Sequence, residues 1–187
     1  MNKFNFFSYI RSDIARSFEL KNGHSEKIKL IDFFRIAFSP KFFPVFLIRL
    51  SYFFYDNHLI FISKLILFFN FIIFGIEIRS NCSVGKGLFI AHSNGIVIGA
   101  KSIGNNFTIF QGVTIGSVDL DFSDSGIKRP IIKNNVIIYS GAKVLGAITI
   151  DDYSIVGANA VVLKSSPKFS LLVGIPAVIR NINSDKK

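Results

Sequence analysis

The chain has 187 residues, enough for one compact unit or a small unit with an appendage, and half of them are apolar. Its formal net charge of +10 favours anionic partners such as lipid headgroups, acidic polysaccharide or nucleotide phosphates. The basic residues are dispersed, with no basic run or nucleic-acid motif, which argues against nucleic acid. One cysteine, Cys82, and three scattered histidines, His24, His58 and His92, argue against a disulfide framework and a metal site.

In chain order, Arg11, Asp13 and Arg16 interrupt the N-terminal stretch before any apolar run forms. No secretory signal is read there, and a cytoplasmic chain is expected. Residues 7–20 carry apolar groups at helical spacing, and Pro40 and Pro44 then break the pattern. Two aromatic-rich segments, 46–55 and 58–74, follow, joined at Asp56-Asn57, and predict a helical hairpin. Lys64 and Asn70 interrupt the second, which falls short of the ~20 apolar residues a bilayer span needs. Two readings stay open for this hairpin. It is buried against its neighbour or another subunit, or it makes a peripheral contact with the inner face of the cell membrane, helped by Lys41, Arg49 and Lys64.

Composition changes near Gly75, from phenylalanine-crowded to rich in glycine, isoleucine, valine and asparagine. This predicts a helical, aromatic-rich region over 1–75 and a second unit over 76–187. Within the second unit Ile132, Ile138, Val144, Ile150, Val156 and Val162 follow one another every six positions. Val136, Ala142, Ile148, Ser154 and Ala160, all β-branched or small, sit four after each of the first five. Val84, Ile90 and Ile96 keep the same step upstream, then Ile103, Ile109 and Ile115, with a register slip between Ile98 and Ile103. Such a period fits neither a helix nor simple strand alternation; it marks a parallel β-helix of hexapeptide repeats. Three short strands form one triangular coil, and the repeating aliphatic points inward and stacks on its equivalent a coil away. Residues 117–131 lack the repeat, which resumes at Ile132, so they predict an extruded loop, a natural place for substrate contacts. The chain ends in a short polar tail.

His92 follows the inward Ile90 by two positions and is expected to project outward from the coil wall. Its surroundings carry a resemblance. The motifs are Gly75-Ile76-Glu77-Ile78, Ala91-His92-Ser93-Asn94-Gly95-Ile96-Val97-Ile98-Gly99, Gln111-Gly112-Val113-Thr114-Ile115-Gly116, Ser140-Gly141-Ala142-Lys143-Val144-Leu145-Gly146 and Gly174-Ile175-Pro176-Ala177. In this order they resemble the catalytic domain of serine O-acetyltransferases and their polysaccharide-acetylating relatives among the hexapeptide acyltransferases. The resemblance covers more than half of the chain.

The resemblance implies a left-handed β-helix, acetyl-CoA as the acetyl donor, no metal, and a homotrimer with active sites shared between subunits. It assigns His92 as the general base that takes a hydroxyl proton, and Glu77 as the carboxylate that holds the imidazole. The hydroxyl then attacks the thioester directly. Gly116, Ser140, Gly141 and Ala158 would line the CoA groove, and Lys164 and Arg180 would meet the nucleotide phosphates. Ser93, Asn94, Lys128 and Arg129 would meet the acceptor. Three departures stand out against serine-using members. Ala91 replaces an aspartate, Lys128-Arg129 replace Arg-His before Pro130, and the loop lacks a glycine-rich stretch. These departures lead to the expectation of an acetyltransferase acting on a capsular or surface polysaccharide or its sugar precursor. The alternatives are a serine O-acetyltransferase of cysteine biosynthesis and a non-catalytic β-helix that binds a partner.

Overall fold

In a computed structural model, residues 4–23, 28–119 and 127–182 are described. Four helices come first. α1 (Phe6–Asn22) starts where the Asn5 side chain accepts the Ser8 N–H and stops at Gly23, which adopts a left-handed φ of 74°. α2 (Leu30–Ala37) was not anticipated, because Pro40 and Pro44 drew the reading of that stretch toward a break. Pro44 instead sits in the first turn of α3 (Phe43–Asp56), where its missing N–H costs nothing. α4 (Ile60–Phe74) ends on Gly75, whose N–H caps Phe71 O at 2.9 Å.

α3 and α4 form the expected hairpin, and Ser51 and Ser63 meet across it through hydroxyls 2.8 Å apart. Yet α4 is not buried within this chain. Only Ser63 and Asn70 of its residues are buried.

From Ile76 the chain winds into coils. The first holds β1 (Ile76–Ile78), β2 (Ser83–Val84) and β3 (Phe89–Ile90); the second holds β4 (Ile96–Ile98), β5 (Ser102–Ile103) and β6 (Thr108–Ile109). The third holds β7 (Thr114–Gly116), β8 (Ile131–Ile132) and β9 (Ile137–Ile138); the fourth holds β10 (Lys143–Leu145), β11 (Thr149–Ile150) and β12 (Ile155–Val156). The last is built from β13 (Val161–Val162) and β14 (Ser170–Val173), and β15 (Val178–Asn181) turns back antiparallel on β14. Equivalent strands stack as three parallel faces: β1-β4-β7-β10-β13, β2-β5-β8-β11 and β3-β6-β9-β12-β14. This is the expected parallel β-helix, of about five turns, behind a small helical region.

The core is three aliphatic columns. Ile78, Ile98, Ile115, Val144 and Val162 line one face; Val84, Ile103, Ile132 and Ile150 the second; Ile90, Ile109, Ile138, Val156 and Leu172 the third. All are buried, which hides a continuous stack of methyl groups from water.

The register corrects the repeat reading at one place. Val97 pairs with Thr114 and Ile98 with Ile115, which puts Ile96 level with Val113 in the row of small residues and makes Ile98 the true in-phase aliphatic. From Ile90 to Ile98 the chain runs eight positions where Ile109 to Ile115 takes six, so two extra residues sit at the corner that carries His92. One residue is then missing between Ile98 and Ile103, where the slip was read. Ile96 concealed the insertion because it is itself a buried isoleucine at the expected step.

Of the extruded loop 117–131, residues 120–126 lie outside the described ones, as do 183–187 of the tail. Both described ends of the loop stay on the β-helix. Lys101 N donates to Pro130 O at 2.8 Å, and Val118 lies over Gly146.

Candidate active site

His92 sits on the lengthened corner between β3 and β4, exposed to solvent. Two added residues push that corner out from the coil wall, so the imidazole stands clear of the packed column beneath. Its ring centroid lies 6.4 Å from that of Phe110, which is 4.9 Å from that of Tyr139. Phe110 and Tyr139 each follow an in-phase isoleucine by one position, as Ala91 does, and make an aromatic ladder along the same edge. Neither was singled out from the sequence, although that one-residue offset was there to find.

The same edge carries a column of bare backbone. Gly95, Gly112 and Gly141 stack in register with φ of 69°, 70° and 71°, a left-handed conformation at which a side chain is strained. Gly112 Cα lies 3.6 Å from where a Cβ on Gly95 would stand, and Gly141 Cα 3.5 Å from one on Gly112. Ser140 and Ala158 border this column on later coils, with Ser140 O accepting Asn159 N at 2.9 Å. His92, Ser93, Asn94, Ser140, Gly141 and Ala158 are thus gathered on one edge. Asn94 itself has φ 92°, and its carbonyl receives the Gly112 N–H at 3.0 Å.

Glu77 is the central residue of β1, exposed and paired in register with Val97. It lies on the face next to the His92 corner, two residues along the strand from it. No hydrogen bond or ion pair joins Glu77 to His92 in this chain. Above Glu77 on the same outward row come Val97, Thr114 and Lys143. Lys143 was also missed as a candidate; its Nζ donates to Gly112 O at 2.7 Å and to Thr114 Oγ1 at 3.1 Å, stiffening the glycine corner.

The remaining candidates lie elsewhere. Gly116 ends β7 at the far side of that face. It has no positive φ, and a Cβ there would meet nothing within 4 Å, so neither packing nor backbone demands glycine. What glycine leaves there is an open approach to the main chain. Lys164 follows β13 at the same end, and Arg180 lies in β15; both are exposed. Arg129 is half-buried and donates from Nη1 to Gly99 O at 3.2 Å, just past β4. Gly99 and Gly95 bracket β4, a separation of about 13 Å at strand rise. Within one chain, therefore, Arg129 is not beside His92. Lys128 is exposed, with Nζ 4.0 Å from Asp119.

Cys82 is buried, and that burial pushes its thiol up to about 12 against the opposing pull of Arg79 and Arg129. A neutral thiol sealed in the core does no chemistry. Among the described residues no group of His, Cys, Asp and Glu is arranged to hold a metal ion.

Coils, repeats and corner define a hexapeptide-repeat transferase scaffold. Residues 129–164 match the family model described as "Bacterial transferase hexapeptide (six repeats)". A serine acetyltransferase of Bacillus subtilis is 41% identical over 136 residues, 71% of this chain and 61% of the relative. One of Bacillus pumilus is 34% identical over 186 residues, 96% of this chain and 82% of the relative. In three dimensions, the crystal structure of serine acetyltransferase in complex with coenzyme A from Brucella abortus strain S19 superposes with a TM-score of 0.80. It is 26% identical, over 94% of this chain and 68% of that one. The chain belongs to the serine acetyltransferase family, and with it the left-handed turn of the β-helix is given.

The chain spans less than two thirds of the length of the Bacillus subtilis relative. These similarities overturn the expectation of a capsular or surface polysaccharide acceptor, because the relatives are named for serine. The structure shows why the departures misled. Ala91 is 7% exposed and packed under the corner, not displayed toward an acceptor. Arg129 gives one N–H to Gly99 O and Lys128 stays exposed beside Asp119, so the basic pair by itself does not call for an acidic chain.

Proposed function

We propose that this protein is a serine O-acetyltransferase that moves the acetyl group of acetyl-CoA to the hydroxyl of L-serine. The observation that carries the proposal is the end-to-end likeness to the Bacillus pumilus serine acetyltransferase, 96% of this chain. The geometry is in keeping with it. His92, raised on its two-residue insertion, takes the serine hydroxyl proton as general base. The hydroxyl oxygen then bonds to the thioester carbonyl carbon. Collapse of that tetrahedral centre breaks the carbon–sulfur bond, and the sulfur leaves with the proton returned by the imidazolium. Ser93 and Asn94 flank the imidazole and hold the acceptor.

Acetyl-CoA fits an edge of exposed backbone. Ser140, Gly141 and Ala158 offer the pantetheine arm an edge of small residues, and Gly116 leaves its main chain open. Lys164 and Arg180 supply charge for the nucleotide phosphates. We infer a homotrimer in which Lys128 and Arg129 of one subunit approach His92 of the next across the groove between neighbouring β-helices. Glu77 is a positioning residue that steadies the imidazolium from the adjacent strand.

His92→Ala is expected to lower turnover with L-serine by about 10²–10⁴-fold while leaving the melting temperature unchanged. Near-normal turnover in that variant would refute the mechanism. For Glu77→Gln the informative readout is the pH profile of kcat/KM, whose acidic limb should move if the carboxylate acts through His92.

A further inference from the structure

α4 turns most of its apolar surface outward. The two residues it buries completely are Ser63 and Asn70, both 0% exposed. At 100° per residue its exposed apolar side chains run from Ile60 round through Phe61, Phe68, Phe69 and Ile72 to Ile73, an arc of about 220°. Phe61 is 80% exposed and Ile72 60%. A helix resting on a protein core needs an apolar stripe of roughly 100°, facing inward. Here the inward side holds Ser63 and Asn70 beside the half-buried Leu67 and Phe74, and the outward apolar surface is twice that width.

Charge decides what covers it. α4 holds no acidic residue, and α3 only Asp56 at its end. Lys64 stands exposed within the apolar arc, with no ion pair among the described residues. A second copy meeting this face with its own α3 and α4 would bury Lys64 against a surface with no carboxylate near to receive it, which is costly in a dry interface. Elsewhere on the helices, Asp13, Glu19 and Asp32 are taken by Arg49, Arg16 and Arg35. Arg11, Lys21 and Lys41 are exposed and left without an acidic partner among the described residues. An anionic lipid surface answers both features. Acyl chains wrap a broad apolar arc, and a lysine within it extends its ammonium to a headgroup phosphate. No helix of the described residues is long and apolar enough to cross a membrane. With 15 residues α4 spans ~22 Å, which suits a helix lying in the interface plane.

We propose that α4, with the basic residues of the helical unit, seats this protein on the surface of an anionic bilayer. The test is co-sedimentation of the full chain with vesicles of phosphatidylcholine alone or of equal parts phosphatidylcholine and phosphatidylglycerol. The chain binds the mixed vesicles more tightly than the neutral ones. Phe68→Glu/Ile72→Glu, both on the outward arc, lowers binding about tenfold or more with an unchanged far-UV CD melt. Lys64→Gln lowers it about fivefold on mixed vesicles and not on neutral ones. Failure to bind mixed vesicles, equal binding to neutral ones, or indifference to Phe68→Glu/Ile72→Glu overturns the proposal. A fall in oligomer mass in that double variant, with no vesicle binding by the parent, would assign the face to a second copy instead.

Discussion

Asp13→Ala is expected to loosen the attachment of the helical unit to the β-helix. Asp13 and Arg49 are 0% and 1% exposed and join α1, α3 and the first coil at one point. Asp13 Oδ2 accepts Arg49 Nε at 2.8 Å. Its Oδ1 accepts Arg49 Nη2 at 3.0 Å and the N–H groups of Gly87 and Leu88 at 2.8 Å each. Arg49 in turn donates to Val84 O and Gly85 O, both at 2.6 Å. Removing the carboxylate strands a buried cation and two buried N–H groups, at a cost of about 3–5 kcal/mol. For a chain of this size that is a fall in Tm of roughly 6–20 °C. Thermal unfolding by circular dichroism, with urea titration beside it, measures the loss. Adding Arg49→Met should recover part of it, because the stranded cation is then gone. A loss below about 1 kcal/mol for Asp13→Ala, or a double variant as weak as the single one, would refute the view that this pair is the lock between the two units.

Gly141→Ala should cost roughly 1–2 kcal/mol in urea unfolding, since it puts a Cβ on a residue at φ 71° and displaces the end of the Asn159 side chain. Gly116→Ala, in open space, should leave stability within about 0.5 kcal/mol while weakening CoA binding by calorimetry. Cys82 should resist a thiol-reactive dye in the folded protein at pH 8 and react fully once unfolded. Its raised folded pKa also sets a stability limit. The thiol is neutral in both states below pH 9, and above that only the unfolded chain ionises. This contribution is therefore lost as pH rises from about 9 toward about 12, by up to ~1.4 kcal/mol per unit, and Cys82→Ala should flatten that slope.

The β-helix was legible because its core rests on one repeated choice. Ile132, Ile138, Val144, Ile150, Val156 and Val162 are inward because each must stack on its equivalent one coil away. The corner carrying His92 was harder to read. Periodicity locates a buried aliphatic, but Ile96 and Ile98 are both buried, and only the pairing of Ile98 with Ile115 shows which is in phase. The acceptor was misread for a related reason. Lys128-Arg129 looks like a free basic pair in one dimension, whereas Arg129 is held by Gly99 O, a contact spanning thirty positions. Phe110, Tyr139 and Lys143 were passed over because their closeness to His92 or the glycine corner comes from stacking of coils, not from neighbouring sequence. α4 reads as a buried helix by composition; that its serine and asparagine face inward is visible only once α3 is packed against it.

The central claim is that His92 activates a serine hydroxyl toward acetyl-CoA. Its most direct test is CoA release by the purified full chain with L-serine, set beside acidic polysaccharides as acceptors and the His92→Ala variant as the blank. The account predicts release with L-serine, O-acetylserine as the product, and only background in the variant. Release that needs a polysaccharide, or that persists undiminished in the variant, would contradict it.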